Sequence, residues 1–175
     1  RLPPRRVLLA GAAVLAVGVA AAAGWLSGRA APAGTAQLAT AGSSSPTEST
    51  PRWAAVLDRL DAARAAVLAT ADAAGLSEVY AEGSPALAAD RAAVGRLVAA
   101  GQTARGVRHA VRRVTQTAYD GRTARLRVVD VLAAYDVLDG SGRSVQHSPP
   151  RGEASYVVTL VRTPAGWRLQ QVVPA

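Results

Sequence analysis

The sequence predicts an α+β domain whose N-terminal helices pack on a curved antiparallel sheet, preceded by one transmembrane helix. Three observations carry that prediction. Between Trp53 and Gly101 apolar residues recur at three- and four-residue spacing, the period of helices with one buried face. From Val107 onward the pattern changes to period two, with turn residues between the runs. Val7 to Leu26, VLLAGAAVLAVGVAAAAGWL, is an uncharged run of twenty residues.

At ~1.5 Å rise per residue that run matches the ~30 Å hydrocarbon layer of a bilayer. Arg1, Arg5 and Arg6 precede it, and only Arg29 follows closely. The asymmetry places residues 1–6 in the cytoplasm, residues 7–26 in the bilayer and everything beyond outside. The expected localisation is the cell membrane, single-pass. A cleaved secretory signal is the alternative, because Ala21-Ala22-Ala23 and Ala31-Pro32-Ala33 both fit the small-x-small cleavage rule. Signal h-regions run only ~7–15 residues, so a retained anchor is expected. Residues 27–51 are rich in Ala, Gly, Ser, Thr and Pro without apolar periodicity, and read as a flexible linker. Residues 52–175 form the extracytoplasmic domain.

The chain has 175 residues, no Cys, and a net charge of +8. Thiolate chemistry and disulfides are therefore excluded from it. Residues 1–52 carry five Arg against Glu48, mostly the positive-inside signature. The remaining +4 is modest for a nucleic-acid binder, so no nucleic-acid partner is expected. Anionic headgroups, acidic wall polymers or plain solvent suit it better.

Thr50-Pro51 is a cap-plus-proline start for a helix to about Asp72, carried by Trp53, Val56, Leu57, Leu60, Arg64, Val67, Leu68 and Ala71. Gly75 ends it. LSEVYAE reads as a short second helix closed by Gly83. Ser84-Pro85 restarts the signal, and Leu87, Ala89, Val94, Leu97 and Val98 carry a third helix to Gly101. Strands are expected over Val107–Thr117, Ala124–Leu138, Arg143–His147, Glu153–Arg162 and Trp167–Val173. Asp120-Gly121, Asp139-Gly140-Ser141-Gly142 and Thr163-Pro164-Ala165-Gly166 supply turns.

The stretches SEVYAEGSPAL, ARLRVVDVLAAYDV and YVVTLVRTPAGWRLQQV make the run from Trp53 onward resemble the nuclear-transport-factor-2-like, cystatin-like fold. It is similar in particular to extracytoplasmic SnoaL-like and Mce-associated domains tethered by one helix. The resemblance implies a cone-shaped domain. The superfamily holds enzymes, carriers and assembly factors, so the fold does not choose among them.

No HExxH, GxSxG or phosphate-cradling Gly loop occurs, and the two histidines, His109 and His147, lack metal-ligand spacing. No metal or cofactor is expected. A three-residue loop Asp120-Gly121-Arg122 sets Ala118, Gln116 and Val114 opposite Ala124, Leu126 and Val128, and extends to Arg112 opposite Asp130. Asp130 is then the one carboxylate on the face bearing Leu126, Val128 and Leu132. The resemblance implies that an acid inside the cone can act as general base, with Tyr80 or Tyr135 as oxyanion donor. A pairing of Asp130 with Arg112 would blunt that role. Arg105, Arg108, Arg112, Arg113, Arg122, Arg125 and Arg127 cluster about one hairpin, which makes either an anion-facing patch or a solubilised edge. Trp53 and Trp167 are expected in the core.

Val129, Val131, Ala133, Tyr135 and Val137 make the second face of the long strand apolar too, so an interface through Val129, Val131, Tyr135 and Val137 is expected. The partner would be a second copy or a membrane-complex component. The leading reading is a membrane-tethered extracytoplasmic binding or assembly module without catalytic activity. The alternative is a SnoaL-like cyclase or isomerase acting on a small apolar substrate, with Asp130 as base.

Overall fold

A computed structural model describes residues 52–175. Its elements in order are α1 (Trp53–Thr70), a 3-10 turn (Ala73–Glu78), α2 (Pro85–Ala99), and strands β1 (Thr103–Arg105), β2 (His109–Tyr119), β3 (Thr123–Leu132), β4 (Tyr135–Leu138), β5 (Ser144–Ser148), β6 (Arg151–Thr163) and β7 (Gly166–Pro174). This is an α+β architecture with helices packed on antiparallel sheets. Among the described residues no helix is long and apolar enough to cross a membrane. The expected anchor at 7–26 and the linker at 27–51 lie outside the described residues.

α1 is capped by Arg52, with no side-chain hydrogen bond. Thr50 and Pro51 lie outside the description. The helix stops at Thr70, where Ala71 takes a left-handed conformation (φ 52°). Gly75 is therefore not the terminator. Its role is space: a Cβ there would sit 2.7 Å from a Val67 methyl, so the following turn packs against α1 only because Gly75 has no side chain. Asp72 starts that turn by accepting from the Ala74 amide. Ser84 caps α2 as expected, accepting from the Leu87 amide at 3.1 Å, with Pro85 at the first helical position. Val98, expected on the apolar stripe, is 59% exposed.

The strands form two sheets, one ordered β2-β3-β6-β7 and one ordered β1-β4-β5. The expected single strand from Ala124 to Leu138 is thus corrected. It breaks at the exposed pair Ala133-Ala134, and β4 joins the smaller sheet. The break resets the alternation, so Val137 turns inward to 2% exposure and Tyr135 lines a cavity. Neither belongs to an outer interface. Val129 and Val131 remain half-buried on the other face of β3.

The β2–β3 register needs a second correction. Gln116 pairs with Leu126 and Val114 with Val128 as expected, but Ala118 pairs with Arg125 and Val111 with Asp130. Two bulges, around Thr117 and Arg112, cause the shifts. Arg112 is the extra residue of one bulge and does not face Asp130.

Leu60, Leu76, Leu126 and Leu160 are almost wholly enclosed between helices and the larger sheet. Each such side chain contributes roughly 1.5–3 kcal/mol of burial. Trp53 meets Trp167 edge-on at 5.1 Å and Tyr119 at 5.6 Å, and its indole N–H donates to Gln116 Oε1 at 2.7 Å. That cluster ties α1 to both β2 and β7 at one end. The other end stays open.

Candidate functional site

The helices and the larger sheet diverge to enclose a cavity of about 580 Å³. α1 lines it with Leu57, Leu60, Asp61, Arg64 and Leu68, spaced as one helical face. From α2 come Pro85, Ala86, Ala89, Asp90, Ala93 and Leu97, and three of the six are alanine. β2, β3 and β6 contribute His109, Asp130, Arg151 and Tyr156, and Tyr135 enters from β4.

Three polar clusters stud the apolar wall. In the first, Arg64 Nε and Nη2 donate to Asp90 Oδ2 and Oδ1 at 2.6 and 2.9 Å. The Tyr80 hydroxyl donates to the same Oδ2 at 2.6 Å. Arg64 and Asp90 side chains are 10% and 3% exposed, so the ion pair is buried. Burial works against the Arg64 charge, yet the hydrogen bond and charge of Asp90 outweigh it and raise the guanidinium pKa. Burial pushes the Tyr80 phenol up, and Asp90 adds to that while Arg64 opposes it. With its proton committed to Asp90, Tyr80 is not an oxyanion donor.

The second cluster joins α1 to β2. His109 Nδ1 lies 2.9 Å from Asp61 Oδ1, and the His109 amide donates to Asp61 Oδ2 at 3.1 Å. Arg108 Nε lies 3.3 Å from the same carboxylate. His109 Nε2 has no hydrogen bond among the described residues. Asp61 precedes Arg64 by three residues on α1, so the two clusters are neighbours on one helix face.

The third cluster spans β3 and β6. Asp130 is buried, and Arg151 Nη2 donates to its Oδ1. Arg151 Nη1 donates to the Tyr156 hydroxyl, and its guanidinium carbon stands 5.4 Å from the Tyr156 ring centroid. The partner of Asp130 is thus Arg151, not Arg112, because the bulge moves Arg112 away while β6 brings Arg151 opposite Leu132. Arg151 Nε is buried with no partner. Tyr156 accepts from Arg151 and keeps its own proton to donate. The Tyr135 hydroxyl has no partner among the described residues.

Each acid in the cavity, Asp61, Asp90 and Asp130, therefore faces a base. The acids are thus each paired, Asp61 with a surface arginine, and the uncommitted hydrogen-bonding groups on the wall are the hydroxyls of Tyr156 and Tyr135 and His109 Nε2. Among the described residues no group of His, Asp and Glu is arranged to hold a metal.

The sequence-predicted residues are only partly gathered here. Asp130, Tyr80 and Tyr135 all line the cavity, although only Tyr135 has an uncommitted hydroxyl. The arginines are exposed but scattered: Arg105 is on β1 in the smaller sheet, Arg108 pairs with Asp61, and Arg122 is in the β2–β3 turn. Arg113, Arg125 and Arg127 share the outward face of β2 and β3 with Val129, by register. Among the described residues Arg105, Arg112, Arg113, Arg122, Arg125 and Arg127 make no ion pair. Sequence reasoning missed Asp61, Arg64, Asp90, His109 and Arg151 as lining groups. The available signal was a charge on an otherwise apolar stripe, as at Asp90 between Leu87 and Val94.

The fold and site define a helix-on-sheet domain with one open apolar cavity whose acids are each paired. No family model matches the chain, and no curated protein matches it. Among solved structures, the intermembrane-space region of the chloroplast protein ARC6 is similar at 13% identity and a TM-score of 0.51, covering 69% of this chain and 95% of that one. A Novosphingobium aromaticivorans protein described as NTF2-like with a cystatin-like fold is similar at 24% identity and a TM-score of 0.40, over 75% and 89% of the two chains. Aln2 from a Streptomyces species is similar at 18% identity and a TM-score of 0.45, over 71% and 90%. The likeness to the ARC6 domain is one of fold.

Proposed function

We propose that the domain binds a small, uncharged, largely apolar molecule carrying a hydrogen-bond acceptor such as a carbonyl. The observation that carries this reading is the alanine face of α2. Ala86, Ala89 and Ala93 stand where leucines would close the cavity, while the neighbouring stripe packs Leu87 and Val94 tightly into the core. Apolar walls with a few convergent polar groups are the usual form of a small-molecule site. The ion pairs leave no net charge to attract a strongly ionic ligand. The Tyr156 and Tyr135 hydroxyls on the cavity wall are the donors available to the acceptor.

The test uses a neutral naphthylamine dye that fluoresces in apolar surroundings. Saturable binding is expected, and Ala93→Leu should abolish it while raising or preserving the melting temperature. A filled variant that binds the dye as the parent does would overturn the reading. In the wider proposal the domain stands outside the cell on its N-terminal anchor, as the resemblance to Mce-associated proteins suggests. Mass spectrometry of the membrane fraction decides that point, since a mature N-terminus at Gly24 or Gly34 contradicts it.

One observation favours an enzymatic reading as well, on a different residue from Asp130. Asp61 holds His109 through Nδ1, which leaves Nε2 as a base on the cavity wall, the arrangement used for general acid–base catalysis. His109 Nε2 would take an α-proton from a bound ketone, and the bond's electron pair would pass to the carbonyl oxygen near the Tyr156 hydroxyl. Return of a deuteron completes an exchange. Deuterium exchange into decalone should then fall about 10²–10⁴-fold in His109→Ala; equal exchange would leave binding alone.

A further inference from the structure

A second recess, which shares the Tyr80 wall with the cavity, lies where the 3-10 turn and the start of α2 meet the β6–β7 turn. It holds about 330 Å³, and Ser77, Leu87, Arg91, Ala165 and Arg168 are among its walls. Arg168 is only 8% exposed. Its Nε donates to the Ser77 carbonyl at 2.9 Å, and Nη1 donates to the carbonyls of Trp167 and Ala165 at 3.0 and 3.2 Å. All three acceptors are neutral. Among the described residues no carboxylate lies within ion-pair distance of this buried guanidinium.

A second cation crowds the same place. Arg59 Nη2 also donates to the Trp167 carbonyl, at 3.2 Å, so two guanidinium groups converge on one neutral oxygen. Arg91, exposed on α2, borders the recess and has no ion pair among the described residues. Glu82 also borders it but pairs with none of the three. Buried positive charge is ordinarily matched by an acid, and here no acid among the described residues pairs with it, Glu82 included. Of the five N–H donors of Arg168, those on Nη2 remain without a partner among the described residues.

We propose that this recess binds an oxyanion, a phosphate monoester or carboxylate, carried on a small organic body. The anion would lie between Arg168 Nη2 and Arg91, which supply charge-assisted hydrogen bonds. Leu87 and Ala165 would face the apolar part, and the volume exceeds what a bare anion fills. If Arg168 serves only to fasten β7 to the 3-10 turn, its three carbonyl bonds suffice and no anion is selected.

The experiment follows backbone amide shifts of the full chain in a neutral detergent, at constant ionic strength set with chloride. Titrants are inorganic phosphate and phenyl phosphate, on the parent and on Arg91→Gln, an exposed position whose change leaves the fold intact. Saturable shifts are expected at Ser77, Ala165 and Arg168, with phenyl phosphate binding more tightly than phosphate. Arg91→Gln should weaken both about tenfold, as loss of a charge-assisted contact implies. Shifts that stay linear with concentration, or that are unchanged in Arg91→Gln, overturn the proposal. Vesicles containing phosphatidic acid separate the sources: shifts at the same amides with vesicles alone assign the oxyanion to a lipid headgroup, and shifts with soluble phenyl phosphate assign it to a free small molecule.

Discussion

Replacing Asp90 by Asn tests the interior electrostatics most directly. The carboxylate accepts three hydrogen bonds, two from Arg64 and one from Tyr80, in a setting where its side chain is 3% exposed. Asn keeps one acceptor oxygen, but turns an NH2 group toward a guanidinium that can only donate. Arg64 is left as a buried, uncompensated charge. Breaking one side of such a pair costs ~3–5 kcal/mol, well above the loss of an ordinary hydrogen bond. For a domain of about 120 residues the unfolding entropy is about 0.26 kcal/mol per kelvin, so the melting temperature should fall by about 12–19 °C.

Thermal unfolding followed by circular dichroism reads that shift. Arg64→Met, Asp90→Leu and Tyr80→Phe combined supply the contrast, since all three polar partners then leave together. Apolar replacement of a whole buried pair is often neutral or stabilising, so the triple variant should melt above the single one. A fall of less than about 4 °C for Asp90→Asn would mean that Arg64 finds water on cavity opening. The account of a buried, paired charge would then be wrong.

Two further outcomes follow from the surface. Asp139 accepts from the Ser141 hydroxyl and amide and from the Arg143 amide and guanidinium, and the Ser141 hydroxyl leads in holding its carboxyl down to about 2. Its contribution to stability is thus complete above the unfolded carboxylate value near 3.8 and is lost as pH falls through about 2, so Asp139→Asn should flatten the acid limb of stability between those points while an Asp139 carboxyl signal titrating near 3.8 would contradict it. The outward sheet face, with Val129, Val131, Val157 and Val173 half-buried among Arg and Thr, is expected to associate with a second copy; sedimentation at micromolar concentration should show dimer that Val131→Glu dissociates, and a monomeric parent refutes it.

Much of the fold was legible because it depends on local periodicity. The cap at Ser84-Pro85, the stripe on α1 and the turns at Asp120, Asp139 and Thr163 are signals contained within a few residues. The bulges at Arg112 and Thr117 were not, since an extra residue in one strand leaves no mark on alternation until its partner is known. The strand break at Ala133-Ala134 failed for a related reason: Ala is neutral in strand and loop patterns, so the alternation appeared continuous to Val137. The cavity was half legible. Asp130 could be placed inward from β3 alone, whereas its partner Arg151 lies 21 residues on and His109 lies 48 from Asp61. Those pairs depend on how β6 and α1 dock, which no local spacing encodes.

The cavity itself bears on function through its energetic cost. In tightly packed cores each Å³ of empty space costs about 24 cal/mol, so a dry void of 580 Å³ would cost about 14 kcal/mol. That matches the whole net stability of a typical domain, about 5–15 kcal/mol. The domain can hold such a space only if solvent or a ligand occupies it. Water is a poor occupant between Leu57, Leu60, Leu132 and Val158, whereas the hydrogen-bonding groups of Tyr156, Tyr135 and His109 offer it a few partners. An apolar guest with one polar end satisfies both surfaces at once and releases the confined water. Ala86 and Ala93 on α2 forgo apolar packing there, a cost that the proposed guest would offset.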